Sequence, residues 1–112
     1  MPGESETEIS KRIRDGLTAR GCRVIRIQSG ILRVLRGKIP YFVHCAEAGT
    51  PDLAVLLPGE PARHIWLEVK RPGQKPTPEQ IRWHLWAKKS GVEAFVVHSL
   101  AEALATVFGE NV

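Results

Sequence analysis

Three features of the chain predict an α/β fold. Residues 63–70 are rich in β-formers, residues 92–98 read as a largely apolar strand, and a capped helical segment lies between them. A strand–helix–strand unit of this kind closes as a right-handed crossover, which makes its two strands parallel. Upstream, short β-rich segments separated by turn dipeptides supply antiparallel partners, so the sheet is expected to be mixed. The expected order is αβββββαβα, a mixed β-sheet flanked by helices. The 112 residues contain no repeat and no linker long enough to divide them, so one domain spanning 1–112 is expected.

Each element has a local cause. Ser5-Glu6-Thr7-Glu8 has the S-x-x-E pattern of a capping box, and Ile9, Ile13 and Leu17 follow at helical spacing. That predicts a helix over about 6–20, stopped by Gly21. Segments 22–28, 31–36 and 39–44 read as strands divided by Ser29-Gly30 and Gly37-Lys38, with Pro40 making the third an edge or irregular strand. Strands at 52–57 and 63–70 follow, joined by the loop 58–62. Thr77, Pro78 and Gln80 give an N-cap, a proline at the first helical position and a T-x-x-Q box. This helix should run to about Ser90 and end at Gly91. Ser99-x-x-Glu102 caps a last short helix that ends near Phe108.

Composition narrows the class. Lys and Arg number 16 against 12 Asp and Glu, a net charge of +4, with 43% hydrophobic residues. The longest apolar runs are a few residues, too short to cross a bilayer. The acidic start MPGESETE lacks the marks of a secretory signal or a transit peptide. Cys22 and Cys45 have neither metal-ligand spacing nor a disulfide framework, so a reducing cytoplasm is the expected setting. The four histidines show no metal-binding spacing, and there is no Ser/His/Asp arrangement or Gly-rich phosphate loop. No organic cofactor is therefore expected. The charge is unevenly spread: residues 16–46 contain no acid but carry Arg20, Arg23, Arg26, Arg33, Arg36 and Lys38. Such a stretch suits a phosphate backbone, or is simply a solvated basic surface.

The sharpest signal lies in residues 52–70. A five-residue loop at 58–62 pairs Leu57 with Arg63, and counting outward sets Asp52 opposite Glu68. Residues paired across strands project to the same face. One face is then Leu53, Val55, Leu57, Ile65, Leu67 and Val69, uniformly apolar and the side of the core. The other carries Asp52, Ala54, Leu56, His64, Trp66, Glu68 and Lys70. Two carboxylates directly opposed, roughly 5 Å apart, repel and destabilise a sheet. A hard divalent cation gives a reason for them, since Mg²⁺ takes a few carboxylate oxygens together with water and substrate phosphate. The alternative is an exposed hairpin end whose acids pair with Lys70 at the surface.

Pro51-Asp52 followed by Glu68-Val69-Lys70 resembles the PD-(D/E)xK nuclease signature. Its surroundings are GTPDLAVLLPG at 49–59, HIWLEVKRPGQKPTPEQ at 64–80, a Trp-bearing helix and a strand ending in His98. Together these are similar to the VRR-NUC family, in particular its small stand-alone viral and bacterial members. The similarity runs from Gly49 to about Ala103 and is weaker over 1–48. It implies a restriction-endonuclease-like core and hydrolysis of DNA phosphodiesters dependent on Mg²⁺ or Mn²⁺. By the same resemblance Asp52 and Glu68 are metal ligands, the Val69 carbonyl completes the inner shell, and Lys70 is the motif lysine. Gln80 matches the glutamine at the start of the following helix, Glu8 an acid on the first helix facing the metal, and Gly49 and Thr50 the loop before the aspartate.

The implied reaction is in-line attack of water on a phosphodiester. An ammonium beside two carboxylates suits positioning that water and stabilising developing charge better than accepting a proton, which is the role expected of Lys70. Gln80 has a local reading as the N3 residue of its capping box. The helical wheel, however, sets it between Trp83, His84 and Ala87, turned toward the sheet, which favours a site role. Glu8 is equally explained as a cap of the first helix. Trp66 is expected to pack under the first helix, and Trp86 to point away from the core. Arg23, Arg26, Arg33, Arg36, Lys38, Arg71 and Lys75 are candidate DNA contacts, and the strands between 20 and 38 either track DNA or line a dimer interface. The stand-alone form of the family suggests a homodimer acting on branched DNA, as a Holliday junction resolvase does. The alternatives are a flap- or nick-directed repair nuclease, acting as a monomer or with partners, and a non-catalytic basic DNA-binding module.

Overall fold

The computed structural model describes residues 3–110. The elements run α1 (Glu6–Ala19), β1 (Arg23–Arg26), β2 (Ile31–Arg36), β3 (Ile39–His44), β4 (Leu53–Leu57), β5 (Arg63–Val69), α2 (Pro78–Ser90), β6 (Ala94–Val97) and α3 (Leu100–Phe108). The order is the αβββββαβα expected. A four-stranded sheet has the order β1-β4-β5-β6, antiparallel except for the parallel β5–β6 pair that α2 connects. The mixed α/β architecture is thus present. One part differs: β2 and β3 leave the sheet and pair only with each other. Pro40 sits inside β3 opposite Leu35, tolerated because both strands of a two-stranded ribbon are edges.

The β4–β5 register follows the count outward from the loop, with Leu57 opposite Arg63 and Leu53 opposite Leu67. No bulge interrupts it. The resulting apolar face, Leu53, Val55, Ile65, Leu67 and Val69, is fully buried. Ile9, Ile13 and Leu17 of α1, and Ala103 and Val107 of α3, close over it as one core. Burial of this kind stabilises by roughly 1.5–3 kcal/mol per large aliphatic side chain before entropic costs. The opposite face meets α2, where Trp66 packs on Trp83 with ring centroids 5.5 Å apart. Trp66 was expected beneath the first helix; it lies under α2, because alternation puts it on the face away from Ile65 and Leu67. Trp86 is exposed, against the edge of Trp83.

The segment before β4 is anchored by a close backbone approach. Gly49 is buried with φ +93°, and a Cβ built there would lie 2.4 Å from the Glu79 carbonyl oxygen in the first turn of α2. Only glycine suits that backbone and that spacing together. Among the described residues no helix is long and apolar enough to cross a membrane. Gly49→Ala is expected to lower stability by about 2 kcal/mol or more through strain and overlap. Chemical denaturation checks this, and an unchanged midpoint would count against the tight seating of the 47–52 segment on α2.

Candidate active site

Asp52 follows that segment immediately and is fixed from two sides. Its backbone carbonyl accepts from Ile27 N at 2.7 Å, continuing the β1–β4 ladder by one step. Its Oδ2 accepts from Val69 N at 2.8 Å, tying the carboxylate to the end of β5. Glu68, one residue back, is completely buried at 0% exposure, and Lys70, one residue on, is buried at 4%. The Lys70 backbone N–H donates to Val97 O at 3.0 Å, so parallel pairing with β6 holds this end of β5.

The electrostatics of Glu68 are unusual. Among the described residues neither carboxylate oxygen finds a hydrogen-bond donor, although both are buried. Burial first, and then the adjoining Asp52 carboxylate, push the Glu68 carboxyl up to about 9; Lys70 opposes the rise and Glu6 adds to it. A buried carboxylate without donors costs several kcal/mol unless it is neutralised or meets a cation. These two oxygens beside Asp52 are therefore a place where a hard cation fits. Among the described residues no three His, Cys, Asp or Glu side chains form a ready-made metal cage, so such an ion would depend on water, carbonyl or phosphate oxygens as well.

Asp52 and Val69 open into a cavity of about 160 Å³ between α1, β1 and the ends of β4 and β5. Its other walls are Glu6, Thr7, Ser10, Arg14, Arg26, Ile27, Gln28 and Ser29. The acid that α1 contributes to this space is Glu6, where Glu8 was expected. Ser5 caps the helix by accepting from Glu8 N at 3.1 Å, and its hydroxyl donates to the exposed Glu8 carboxylate. Glu6, Ser10 and Arg14 recur every fourth residue along one flank of the Ile9–Ile13–Leu17 stripe, and Glu8 lies on the other flank. That flanking periodicity is the signal that would have found Glu6, Ser10 and Arg14 in the sequence. Arg14 Nε is itself buried without a partner among the described residues.

The remaining candidates divide. Arg26 lines the cavity, Arg23 is exposed further along β1, and Arg71 and Lys75 lie in the exposed loop leaving β5. Arg33, Arg36 and Lys38 are on the separate β2–β3 hairpin. Gln80 is not on the cavity wall. Its Oε1 accepts from Thr77 N at 2.8 Å and its own N–H donates to Thr77 Oγ1, which completes a capping box. Cys22, buried, and Cys45 are both free thiols.

A protein from Acyrthosiphon pisum secondary endosymbiont phage 1, named "Putative nuclease p44", is 41% identical to this chain over 64 residues, 56% of this chain and 67% of that one. A solved structure named VRR_NUC domain superposes with a TM-score of 0.66 at 28% identity, covering 92% of this chain and 96% of its own. No protein-family model matches the chain.

The raised Glu68 pKa makes stability depend on pH. The folded carboxyl holds its proton to about 9 against an ordinary 4.5, so its contribution is complete below pH 4.5 and is lost as pH rises through 9. Metal-free protein in chelator should therefore lose stability progressively between pH 5 and 9, and Glu68→Gln should flatten that slope. Denaturation midpoints across this range test it; identical slopes for the two proteins would show that Glu68 is not the group responsible.

Proposed function

The chain belongs to the VRR-NUC family of nucleases, and from that premise we propose a divalent-metal-dependent endonuclease that cuts branched DNA as a symmetric homodimer. The observation that carries the metal dependence is the orphaned, fully buried Glu68 carboxylate beside Asp52. Asp52, Glu68 and the Val69 carbonyl would hold Mg²⁺ or Mn²⁺, with Glu6 of α1 facing them in place of the Glu8 expected. When bound, such an ion polarises the phosphate and acidifies water.

The chain's own groups do the rest. Lys70, buried next to Glu68, positions the attacking water and stabilises the charge that builds on the phosphoryl oxygens during in-line displacement. Arg14 and Arg26, which line the same cavity as Asp52 and Glu6, meet the phosphates of the strand being cut. Arg71 and Lys75 extend that contact along the loop after β5, and Arg23 along β1. Gln80 serves the site indirectly: its cap fixes the first turn of α2, on which Gly49 and the approach to Asp52 rest. A subunit with one such centre cuts two strands in concert only by pairing, and two-fold symmetry suits a four-way junction.

A panel of junction, flap, nicked and intact duplex substrates with Mg²⁺ tests the reading. Junction cleavage by a dimer is expected; preference for flaps by a monomer would favour a repair-type nuclease, and no cutting by metal-loaded protein would leave only a DNA-binding module. Lys70→Ala should reduce cleavage by ~10²-fold or more, with DNA binding in Ca²⁺ essentially retained. Glu6→Gln should weaken Mn²⁺ binding about tenfold or more in calorimetric titration while Glu8→Gln leaves it unchanged. The reverse ranking would restore Glu8 as the helix ligand.

A further inference from the structure

Residues 20–38 admit two uses in the sequence, as a DNA track or as a dimer interface, and the fold separates them. Arg26 of β1 lines the catalytic cavity, whereas β2 and β3 leave the body of the molecule. Their root is pinned by Ala46 N to Gln28 O and Cys45 N to Gly30 O. Beyond that root, among the described residues, neither strand packs appreciably on any other element. The radius of gyration is 15.3 Å, against about 13 Å for a compact chain of this length. The hairpin is an arm.

Its two faces are both apolar. The register places Ile31, Leu35 and Phe42 on one face with Arg33, and Leu32, Tyr41, Val43 and Ile39 on the other with Arg36. These seven apolar side chains are between 39% and 72% exposed. A lone two-stranded ribbon is marginal in water, and one with two wet apolar faces needs a partner to persist. At full areas of ~150–250 Å² each, these exposures amount to on the order of 700 Å². That is close to the ~800 Å² each partner buries in a standard stable interface.

We propose that the β2–β3 hairpin is the arm through which two copies of this chain pair. The inference rests on the homodimer reading above and names its surface. A second copy fits because a two-fold axis presents the same patch to itself, and because both faces must be covered to reach the area a stable dimer needs. DNA fits less well, since DNA-binding surfaces are polar and strongly cationic, whereas each face here has one arginine among three or four apolar side chains. Arg33 and Arg36 then sit within the interface, where arginine is enriched, and Lys38 at the turn marks its tip.

Sedimentation at micromolar concentration tests this with wild type, Phe42→Asp on one face and Tyr41→Asp on the other. Wild type should be a dimer. Each variant should dissociate roughly 30-fold or more readily, as expected for loss of an interfacial aromatic, with far-UV dichroism and Mn²⁺ binding unchanged. A monomeric wild type overturns the homodimer reading and this inference together. A dimeric wild type with equally dimeric variants overturns the arm alone. Dimeric variants that lose junction binding would make the hairpin a DNA element instead, and also overturn it.

Discussion

Folding this chain takes Glu68 out of water beside Asp52, with no donor among the described residues to satisfy it. The surrounding structure holds that arrangement in place. The apolar faces of β4 and β5 set the register that opposes the two acids, and α1 and α3 lock that register by burying it. Val69 N and Ile27 N hold Asp52 from either side, so the carboxylates cannot separate by a small local shift. The Asp52 side chain gives the fold one hydrogen bond, to Val69 N, but that of Glu68 gives it none among the described residues, and buried ionisable groups are often neutral or unfavourable for stability. Their cost makes sense when it is recovered in binding a cation.

The neighbourhood is arranged by charge. Asp52 and Glu6 line the cavity together with Arg14 and Arg26, and Glu68 is buried beside Asp52 without forming part of the cavity wall. A small space lined by carboxylates as well as arginines suits the metal and phosphodiester proposed above, and low local dielectric strengthens each contact. The net charge of +4 hides this division, because the acids that reduce it are partly those gathered at the cavity.

Much of this was legible in the sequence because it depends on short-range counting. A five-residue loop and strict alternation suffice to place Asp52 and Glu68 together, since no bulge shifts the ladder. The crossover rule gives the parallel β5–β6 pair. What escaped depends on choices between two equally local options. Glu6 and Glu8 both occupy the first turn of α1; the family resemblance points to Glu8, which the S-x-x-E pattern commits to the cap. Gln80 sits at N3 of its own cap, and its amide oxygen is used there. Trp66 alternates onto the outer face, yet which helix covers that face is set by chain crossing, not by any residue near it. The departure of β2 and β3 from the sheet has no local cause either: their apolar residues read as core strands, and only tertiary structure shows them uncovered. That exposure is why their role is assigned to contact between copies.

Calorimetric titration of metal-free protein with Mg²⁺ at pH 7, in two buffers of different ionisation enthalpy, tests the central claim most directly. If Glu68 keeps its proton until a cation replaces it, saturable binding should release about one proton per ion. Absence of binding, or binding with no proton released, would contradict the account that the buried Asp52–Glu68 pair exists to hold a metal.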